Sequence, residues 1–334
     1  MNKKMICFGV RGYEVPTFEK LAEEYGYELV LRPEYLNDSC VDLAVGYEMV
    51  MVRANCVLSE ENYGMLADNG LKYYMTRTAG YNHVNVEACK KYGIRTAFVP
   101  GYSPNAIAEL ALTLGMTLLR HVQYDCDRTK GGDFRITDEM FSKEIRSCTV
   151  GIIGCGRIGY TAAKLFHGLG AKVIGYDMFP KENDEVLTYV DLDTLLKESD
   201  LISIHMAYFA GSNDDFIGEK EIAQMKDGVV LVNTSRGEVL DMKAVIKALK
   251  DGKLGGFGCD VIKKEGRVFF KNFENLEEIP DEDVKELVAL YPKALITPHV
   301  ASATEGALRD MIEITLKNTN DFLETGECRN SLIK

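Results

Sequence analysis

The sequence predicts an α/β protein made of two doubly wound parallel-sheet domains with a cleft between them. Short apolar runs alternate with amphipathic stretches along almost the whole chain, a pattern typical of βαβ units and a parallel sheet. A long apolar helical stretch at residues 103–122 interrupts this series once, and the series restarts at CTVGIIGCGRIG, residues 148–159. The chain has 334 residues, which is enough for two domains of ordinary size.

The individual elements follow from the apolar runs. Strands of the first domain are predicted at residues 5–9, 27–31, 48–53, 72–76 and 96–100. Ser103 suits the N-cap of the long helix and Pro104 its first position. Because this helix is apolar around most of its circumference, we expect it to be buried, and a second subunit is one candidate to cover it.

Strands of the second series are predicted at residues 172–177, 201–205, 228–233 and 254–261, and the run ALITPH closes the series. We expect the last helix, from residue 305, to pack back on the first domain. The domains are therefore predicted as residues 1–103 with 300–334, and residues 104–299.

Composition excludes several classes of protein. The chain is 46% hydrophobic and 27% charged, as soluble globular proteins are. Its net charge of −12 argues against a nucleic-acid partner, which would need a basic face. No apolar stretch reaches the length of a membrane span, and the run after the N-terminal lysines is too short for a signal peptide. We therefore expect a cytoplasmic protein with no membrane partner.

The cysteines indicate neither disulfides nor a metal site. The sequence has nine cysteines, and they form no CxxC pair and show no metal-ligand spacing. Reduced, mostly buried thiols in a reducing compartment are the expectation, with no metal bound.

A glycine motif marks a dinucleotide site. Gly154, Gly156 and Gly159 form G-x-G-x-x-G between an apolar strand and a helical pattern. In that context the glycines permit a tight turn, close approach of a pyrophosphate and contact between helix and strand, while the helix N terminus faces the phosphates. Arg157 and Ile158 complete the loop, and Arg157 can add a phosphate contact. The alternative is a glycine-rich turn that binds nothing.

An acidic residue favours NAD as the cofactor. The next predicted strand ends at Asp177, where a carboxylate would receive the ribose hydroxyls of the adenosine. An Asp at this position repels the 2′-phosphate of NADP. The alternative is a surface aspartate with no ligand.

Three further strands end in residues that can carry chemistry. Arg236 follows the run LVNTS, and its planar guanidinium suits a substrate carboxylate, although it might instead point to solvent or pair with an acid. Asp260 ends the next strand, and Glu265 lies five residues later, where the alternative is a solvated loop. A carboxylate such as Glu265 would hold an imidazole in one orientation and favour its charged form.

His299 stands directly after the Thr-Pro that ends the last strand. Pro cannot donate to a sheet ladder, so the strand must stop there, and ligands of open α/β sheets bind at the carboxyl ends of strands. A lone His is usually structural, but a His, an Arg and a Glu at three such ends indicate an active site. His205 also ends a strand and is expected to line the nucleotide site, whereas His83, His121 and His167 are expected at the surface or on helices.

These residues resemble one family. GIIGCGRIG, VNTSRGEV, GCDVIKKEG and ITPH occur in the order and spacing of the D-2-hydroxyacid dehydrogenases, and RTAGYNHVN and VPGYSPNAIAE match the same family. The resemblance covers essentially the whole chain, and EGRVFFKNF is similar to the D-lactate dehydrogenase branch. It implies a Rossmann NAD domain, a flavodoxin-like substrate domain and a homodimer whose contact includes the helix near 104–122.

The resemblance also implies roles for matching positions. Arg236 would bind the substrate carboxylate and polarise the keto oxygen, His299 would be the general acid of the reduction, and Glu265 would tune His299. The backbone at Ala79 and Gly80 would hold the carboxylate, and Tyr102 would line the pocket. The cofactor contacts would include, besides the glycine loop and Asp177, the strand-end residues His205, Met206, Ala207, Asn213, Thr234, Ser235 and Asp260.

Two features depart from the family pattern. The loop after the strand at 201–205 lacks the usual proline, because Met206 and Ala207 follow His205. The D-lactate dehydrogenase branch usually has an aromatic pair soon after the catalytic His, whereas this chain has VASAT, with Ser302. The pocket wall is therefore predicted to be smaller and less apolar.

Arg53 indicates which substrate the enzyme uses. It ends the apolar strand EMVMVR, whose end lies near the substrate tail in the family, so it is predicted to bind a second carboxylate. VRANC, RTAG and the Ser after the catalytic His resemble the (R)-2-hydroxyglutarate dehydrogenases of amino-acid fermenters, which reduce 2-oxoglutarate. The alternative is a surface Arg that covers apolar area with its stem.

Other functions stay open at this point. A monocarboxylate substrate would make the protein a D-lactate, phenyllactate or 2-hydroxyisocaproate dehydrogenase. An enzyme of the phosphoglycerate type is a further alternative. From a different class, an NAD-sensing binding protein or corepressor would keep the glycine motif without turnover.

Overall fold

The computed structural model describes residues 3–333, which form two compact units. The first unit runs through Ser103 and resumes at Ala303, and the second is Pro104–Ser302. The chain therefore returns to the first unit three residues later than the sequence predicts.

The first unit is a five-stranded parallel sheet with strand order β2-β1-β3-β4-β5. Its strands are β1 (Lys3–Cys7), β2 (Tyr27–Leu31), β3 (Met49–Val52), β4 (Tyr73–Thr76) and β5 (Arg95–Ala97). Its α-helices are α1 (Val15–Tyr25), α2 (Glu60–Asp68), α3 (Val86–Lys91) and α11 (Glu305–Thr325), and short 3-10 helices lie at Gly12–Glu14 and Val41–Ala44. The order makes this a flavodoxin-like sheet, whose topological switch point lies between β1 and β3.

Alternate residues of the first sheet supply two core layers, as the two-residue period of a strand requires. Ile6 of β1 and Val50 of β3 pack in one layer, with α2. Met5 and Met51 of the same strands pack in the other layer, with α11. The predicted packing of the last helix on this unit is confirmed.

The second unit is a seven-stranded parallel sheet with strand order β12-β11-β10-β9-β6-β7-β8. Its strands are β6 (Thr149–Ile153), β7 (Lys172–Tyr176), β8 (Thr188–Tyr189), β9 (Leu201–Ile204), β10 (Val229–Asn233), β11 (Leu254–Cys259) and β12 (Ala294–Ile296). Its α-helices are α4 (Pro104–Leu119), α5 (Val122–Lys130), α6 (Arg157–Gly168), α7 (Leu192–Glu198), α8 (Glu219–Gln224), α9 (Met242–Lys250) and α10 (Glu282–Ala289). The switch point of this Rossmann sheet lies between β6 and β9.

The long apolar helix is shorter than predicted, because α4 ends at Leu119 and His121 adopts a left-handed backbone with φ +52°. One face of α4 lies on the unit's own sheet. A Cβ atom added to Gly256 or Gly258 of β11 would stand 3.0 Å from Leu118 or 3.1 Å from Leu114. The glycines of β11 therefore let the helix approach the sheet closely.

The strands end slightly earlier than the sequence predicts. Arg53, Asp177 and His205 were assigned to strand ends, and each lies one residue past its strand. They leave the ladder at the carboxyl edge, where their side chains are free to contact other groups. None of the described helices combines the length and apolarity needed to cross a bilayer.

Candidate active site

The glycine loop joins β6 to α6 in the second unit. Gly154 has φ +88°, and a Cβ there would stand 2.5 Å from the backbone nitrogen of Met206. A Cβ on Gly159 would stand 1.9 Å from the carbonyl oxygen of Gly154. Both positions therefore exclude side chains, the first for backbone conformation and space, the second for space alone.

Gly156 differs from these two glycines because it faces open space. It is the N-cap of α6, and a Cβ added to it would meet no atom within 4 Å. The free N–H groups of a helix N terminus attract anions, and the missing side chain lets a phosphate approach the backbone. Arg157 is the exposed first residue of α6, and Ile158 follows it.

Asp177 is tied to the glycine loop. It follows β7, the neighbour of β6, and its Oδ2 accepts a hydrogen bond of 2.7 Å from the backbone N–H of Cys155. Its Oδ1 accepts one of 2.9 Å from Phe179. The carboxylate therefore lies beside the glycine loop, where it could accept hydrogen bonds from the adenosine ribose of a dinucleotide. The open position at Gly156 and this carboxylate fit NAD.

The loop after β9 lies against the same turn. The His205 ring bonds Ser203 Oγ at 2.9 Å through Nε2, and burial lowers the pKa of His205 to about 4, so the ring is neutral near pH 7. Both ends of the Asn213 amide form hydrogen bonds within this loop. Nδ2 donates to the carbonyl oxygen of Ala207 at 2.8 Å, and Oδ1 accepts from Phe209 N–H at 2.7 Å. Asn213 thus shapes the loop that carries Met206 and Ala207.

Arg236 lies in a turn that the side chain of Asn233 holds in place. Asn233, the last residue of β10, donates from Nδ2 to the Arg236 carbonyl oxygen at 2.9 Å and accepts from the Ser235 N–H at 3.0 Å. The Arg236 side chain is exposed, and Nη1 donates to the Ser235 carbonyl oxygen at 2.7 Å. No carboxylate among residues 3–333 forms an ion pair with Arg236, and the Thr234 hydroxyl is buried without a partner there. The asparagine that ends the strand just before TSRG is the sequence feature that could have predicted this turn.

His299 and Glu265 meet as predicted. His299 Nδ1 lies 2.8 Å from Glu265 Oε1, and the two side chains are 38% and 33% exposed. Since a carboxylate is an acceptor, the network assigns a proton to Nδ1 and leaves Nε2 available for a substrate. His299 has φ +52° and Lys264, directly before Glu265, also has φ +52°. This left-handed backbone is costly for both residues, so the turns must be held by their surroundings.

Asp260 holds the turn of His299. It is 1% exposed and directly follows β11. Its Oδ1 accepts from the Thr297 hydroxyl at 2.5 Å and the Val300 N–H at 2.9 Å, while Oδ2 accepts from the Ala301 N–H at 2.9 Å. Burial raises the pKa of Asp260 against the opposing effect of these bonds. These bonds all go to the turn that carries His299, and the place of Asp260 on the nicotinamide side, which the family resemblance implies, stays a prediction.

In the second unit, therefore, the described residues place the His299–Glu265 pair and the Arg236 guanidinium at one edge of the sheet. β10, β11 and β12 are neighbours in the sheet, and Arg236, Asp260 and His299 follow their carboxyl ends. Ser302, predicted to line the substrate pocket, is the half-buried last residue of this unit. Within residues 3–333, no cluster of His, Cys, Asp or Glu is arranged to hold a metal ion.

The first unit presents the loop after β4, which carries Ala79 and Gly80. Both residues are exposed, and the Thr78 hydroxyl donates to the Gly80 carbonyl oxygen at 2.6 Å. Thr78 also bonds Thr76 at 2.8 Å, and Thr76 bonds His83 Nε2 at 2.9 Å. The sequence predicts His83 at the surface or on a helix, but it lies half-buried in a turn behind this loop. Tyr102 lies half-buried near the end of the segment that follows β5.

Arg53 lies at the switch point of the first sheet, directly after β3. A Cβ on Gly9, which follows β1, would stand 2.9 Å from Arg53 Cδ, so the arginine stem crosses the end of β1. Its side chain is 23% exposed, and its Nη1 lies 3.5 Å from Glu14 Oε1. Burial lowers the pKa of Arg53, and the neighbouring Arg77 and Arg11 add to this effect. Arg53 is therefore not a freely solvated surface residue.

Two buried imidazoles predict a loss of stability in mild acid. Burial lowers the pKa of His83 and of His205 to about 4, whereas an unfolded chain titrates its histidines near about 6.5. Between these values the unfolded chain binds more protons, so the free energy of unfolding falls as the pH is lowered, by up to about 1.4 kcal/mol per pH unit for each histidine. Above pH of about 6.5 this contribution is complete.

Calorimetric Tm values between pH 7.5 and 4.5 would measure this effect. Replacing both histidines by glutamine should flatten the profile in that window. A profile that keeps its slope in the double variant would contradict the assignment.

The second unit contains the span that matches a known family. Residues 112–301 match the model of the D-isomer specific 2-hydroxyacid dehydrogenase NAD binding domain. An aromatic 2-oxoacid reductase from Clostridium sporogenes is 36% identical over 332 residues, which is 99% of both chains. A solved D-lactate dehydrogenase from Treponema pallidum is 38% identical with a TM-score of 0.91 and covers 99% of this chain and 100% of its own.

A third relative is seen with its cofactor. The NAD-complexed D-isomer specific 2-hydroxyacid dehydrogenase from Lactobacillus delbrueckii ssp. bulgaricus is 37% identical with a TM-score of 0.88, covering 98% of this chain and 99% of its own. The chain belongs to the D-2-hydroxyacid dehydrogenases, on their D-lactate dehydrogenase branch, and is an NAD-dependent enzyme.

Proposed function

We propose that this enzyme reduces 2-oxoglutarate to (R)-2-hydroxyglutarate. The observation that carries the proposal is the surplus of positive charge around Arg53 at the switch point of the first sheet. Arg53 and Arg77 share one carboxylate, that of Glu14, and Arg53 is the more weakly paired of the two. Ligands of open α/β sheets bind at such switch points, and a buried guanidinium needs an anionic partner.

The residues of the second unit would act on the 2-oxo group. Arg236 has no carboxylate partner among the described residues, so its planar guanidinium is available to bind the C1 carboxylate and polarise the keto oxygen. Bound NADH supplies the hydride. His299, oriented by Glu265 through Nδ1, would donate a proton from Nε2 to the oxygen as negative charge develops there, and would take it back in the oxidation.

The residues after His299 fit a polar substrate tail. Ser302 and Ala303 stand where this branch usually has an aromatic pair, so the substrate pocket is predicted to be less apolar there. A short dicarboxylate has no aromatic tail, so it needs an apolar aromatic wall less than an aromatic substrate does. We propose that the distal carboxylate is bound by Arg53, while the backbone at Ala79 and Gly80 and the Tyr102 side chain contact the substrate from the first unit.

A monocarboxylate substrate is the second candidate, favoured by the names of two relatives. The Clostridium sporogenes relative is an aromatic 2-oxoacid reductase, and the Treponema pallidum relative is a D-lactate dehydrogenase. Against it, a partly buried arginine facing an alkyl or aryl tail would be costly. An NAD-sensing binding protein is a weaker alternative, because the His299–Glu265 pair that turnover requires is formed.

Steady-state NADH oxidation with 2-oxoglutarate, phenylpyruvate, 2-oxoisocaproate and pyruvate tests the proposal. Arg53→Met should lower kcat/KM for 2-oxoglutarate by about 10- to 100-fold, the value of a hydrogen bond to a charged group, and should affect monocarboxylates much less. Arg95→Met, which removes an exposed arginine at the start of β5, is the matched control and should retain the preference. A preference for monocarboxylates that Arg53→Met leaves untouched would refute the dicarboxylate.

We also propose a cytoplasmic homodimer. Phe134, Ile136 and Phe141 are 78%, 91% and 88% exposed in the segment after α5, and such a group of apolar side chains is typical of an interface. All nine cysteines are free thiols, which agrees with a reducing compartment. Light scattering tests the first point, with an expected mass of twice 37.3 kDa. Cell fractionation tests the second.

A further inference from the structure

We propose that Glu14 determines how strongly the enzyme binds the distal carboxylate of its substrate, because Arg77 engages both oxygens of Glu14 and so keeps Arg53 available for that carboxylate. This inference rests on the proposed function. It makes Glu14 and Arg77 positioning residues that act through Arg53.

Glu14 and Arg77 form a bidentate ion pair. Arg77 donates from Nη2 to Glu14 Oε2 at 2.9 Å and from Nη1 to Oε1 at 3.2 Å. A third bond of 3.0 Å runs from Nη2 to the carbonyl oxygen of Gly9. The two side chains are 2% and 3% exposed, so water cannot compete for them. Such a two-pronged contact fixes the carboxylate in one orientation.

Little of the Glu14 carboxylate is left for Arg53. Oε2 also accepts a bond of 2.8 Å from the backbone N–H of Arg11, so only Oε1 can face a second guanidinium. Arg53 reaches that oxygen with Nη1 at 3.5 Å, the longest contact of the group. The three contacts on Glu14 therefore leave Arg53 with a weak partner, although three quarters of its side chain is removed from water.

The charge state of Glu14 also supports this role. Burial opposes ionisation of Glu14, but Arg77 and the other donors outweigh it and hold the pKa of Glu14 below its usual value. The carboxylate is therefore charged near pH 7 and contributes one negative charge against the two guanidinium groups. A second carboxylate that approaches the exposed part of Arg53 would balance the remaining positive charge at the switch point.

Two substitutions should therefore act in opposite directions. Glu14→Gln removes the competing negative charge, so Arg53 should bind a carboxylate more tightly. Arg77→Lys keeps the charge but loses the planar fork, so Glu14 can turn towards Arg53 and neutralise it. A role in stability alone would impair both variants alike and would not separate one substrate from another.

The measurement is the ratio of kcat/KM for 2-oxoglutarate to that for 2-oxoisocaproate, with the inhibition constant of glutarate as a second readout. We expect Glu14→Gln to raise the ratio and Arg77→Lys to lower it, each by about 3- to 10-fold, which is less than the full value of a charged hydrogen bond. The double variant Glu14→Gln with Arg53→Met should show no gain. Glu313→Gln, an ion-paired glutamate on α11 of the same unit, is the matched control.

The outcomes separate the two proposals. If the wild type does not favour 2-oxoglutarate and Arg53→Met changes nothing, the proposed function fails. If the wild type does favour it through Arg53, but the two variants move the ratio in the same direction or not at all, only the role of Glu14 is refuted. Thermal unfolding verifies the fold of each variant, and if Glu14→Gln does not fold, the direction of the change in Arg77→Lys decides.

Discussion

Replacing His299 by glutamine is expected to lower kcat by about 10²- to 10⁴-fold, the usual contribution of a positioned proton donor. Glutamine can keep a hydrogen bond to Glu265 but cannot transfer a proton near pH 7. Since His299 bonds Glu265 at 2.8 Å and its ring is more than one third exposed, the substitution should leave the fold intact. Steady-state NADH oxidation at saturating 2-oxoacid measures the effect.

The control for this prediction is His167→Gln. His167 lies exposed on α6 and contacts none of the proposed groups, so its replacement should leave kcat unchanged. The change in NADH fluorescence on addition of the protein should show that the His299 variant still binds the cofactor. A His299→Gln enzyme with nearly normal turnover would show that another group donates the proton.

Replacing Arg236 by lysine is expected to lower kcat/KM by about 10²- to 10³-fold, the cost of losing one donor to a developing oxyanion. Lysine keeps the charge but not the planar pair of N–H groups that binds a carboxylate and a keto oxygen together. Asn233 fixes the backbone at this position through the Arg236 carbonyl oxygen, which the substitution does not touch. The loss should therefore come from chemistry rather than from unfolding.

Kinetics with each 2-oxoacid of the panel measure the loss, and every substrate should be affected because all share the C1 carboxylate. Arg146→Lys, at an exposed ion pair with Glu144, is the matched control and should be silent. A large loss of kcat/KM for one substrate alone would mean that Arg236 binds the substrate tail. Arg53 would then be the candidate to bind the C1 carboxylate.

The outlines of the fold follow from local sequence patterns. The runs MVMV and LISI became buried strands, and TVGIIGCGRIG became strand, turn and helix, because apolar spacing and glycine positions act over a few residues. The helix at 103–122 was predicted too long, since its apolar pattern continues past Leu119 although His121 turns the chain with φ +52°. The two-residue strand β8 was too short to show a pattern.

The site was predicted only in part for a different reason. His299, Glu265 and Arg236 could be found because each follows a strand, and strand ends meet at one edge of a parallel sheet. What each group contacts depends on atoms far away in the chain. Asp260 holds the histidine turn through residues 40 and 41 positions later, and no local pattern could predict these bonds. His83 looked exposed and lies behind the loop of Gly80.

Local sequence patterns were enough to determine the α/β class, the glycine loop, the acid after β7 and the chain positions of Arg236, Glu265 and His299 after their strands. The tertiary structure alone decided what surrounds Arg53. Its contact with Glu14 spans 39 residues, and the contact of Arg77 with the same carboxylate spans 63. These contacts exist because the strand order β2-β1-β3-β4-β5 makes neighbours of β1, β3 and β4. Apolar periodicity specifies strands, but charge pairing depends on which strands become adjacent.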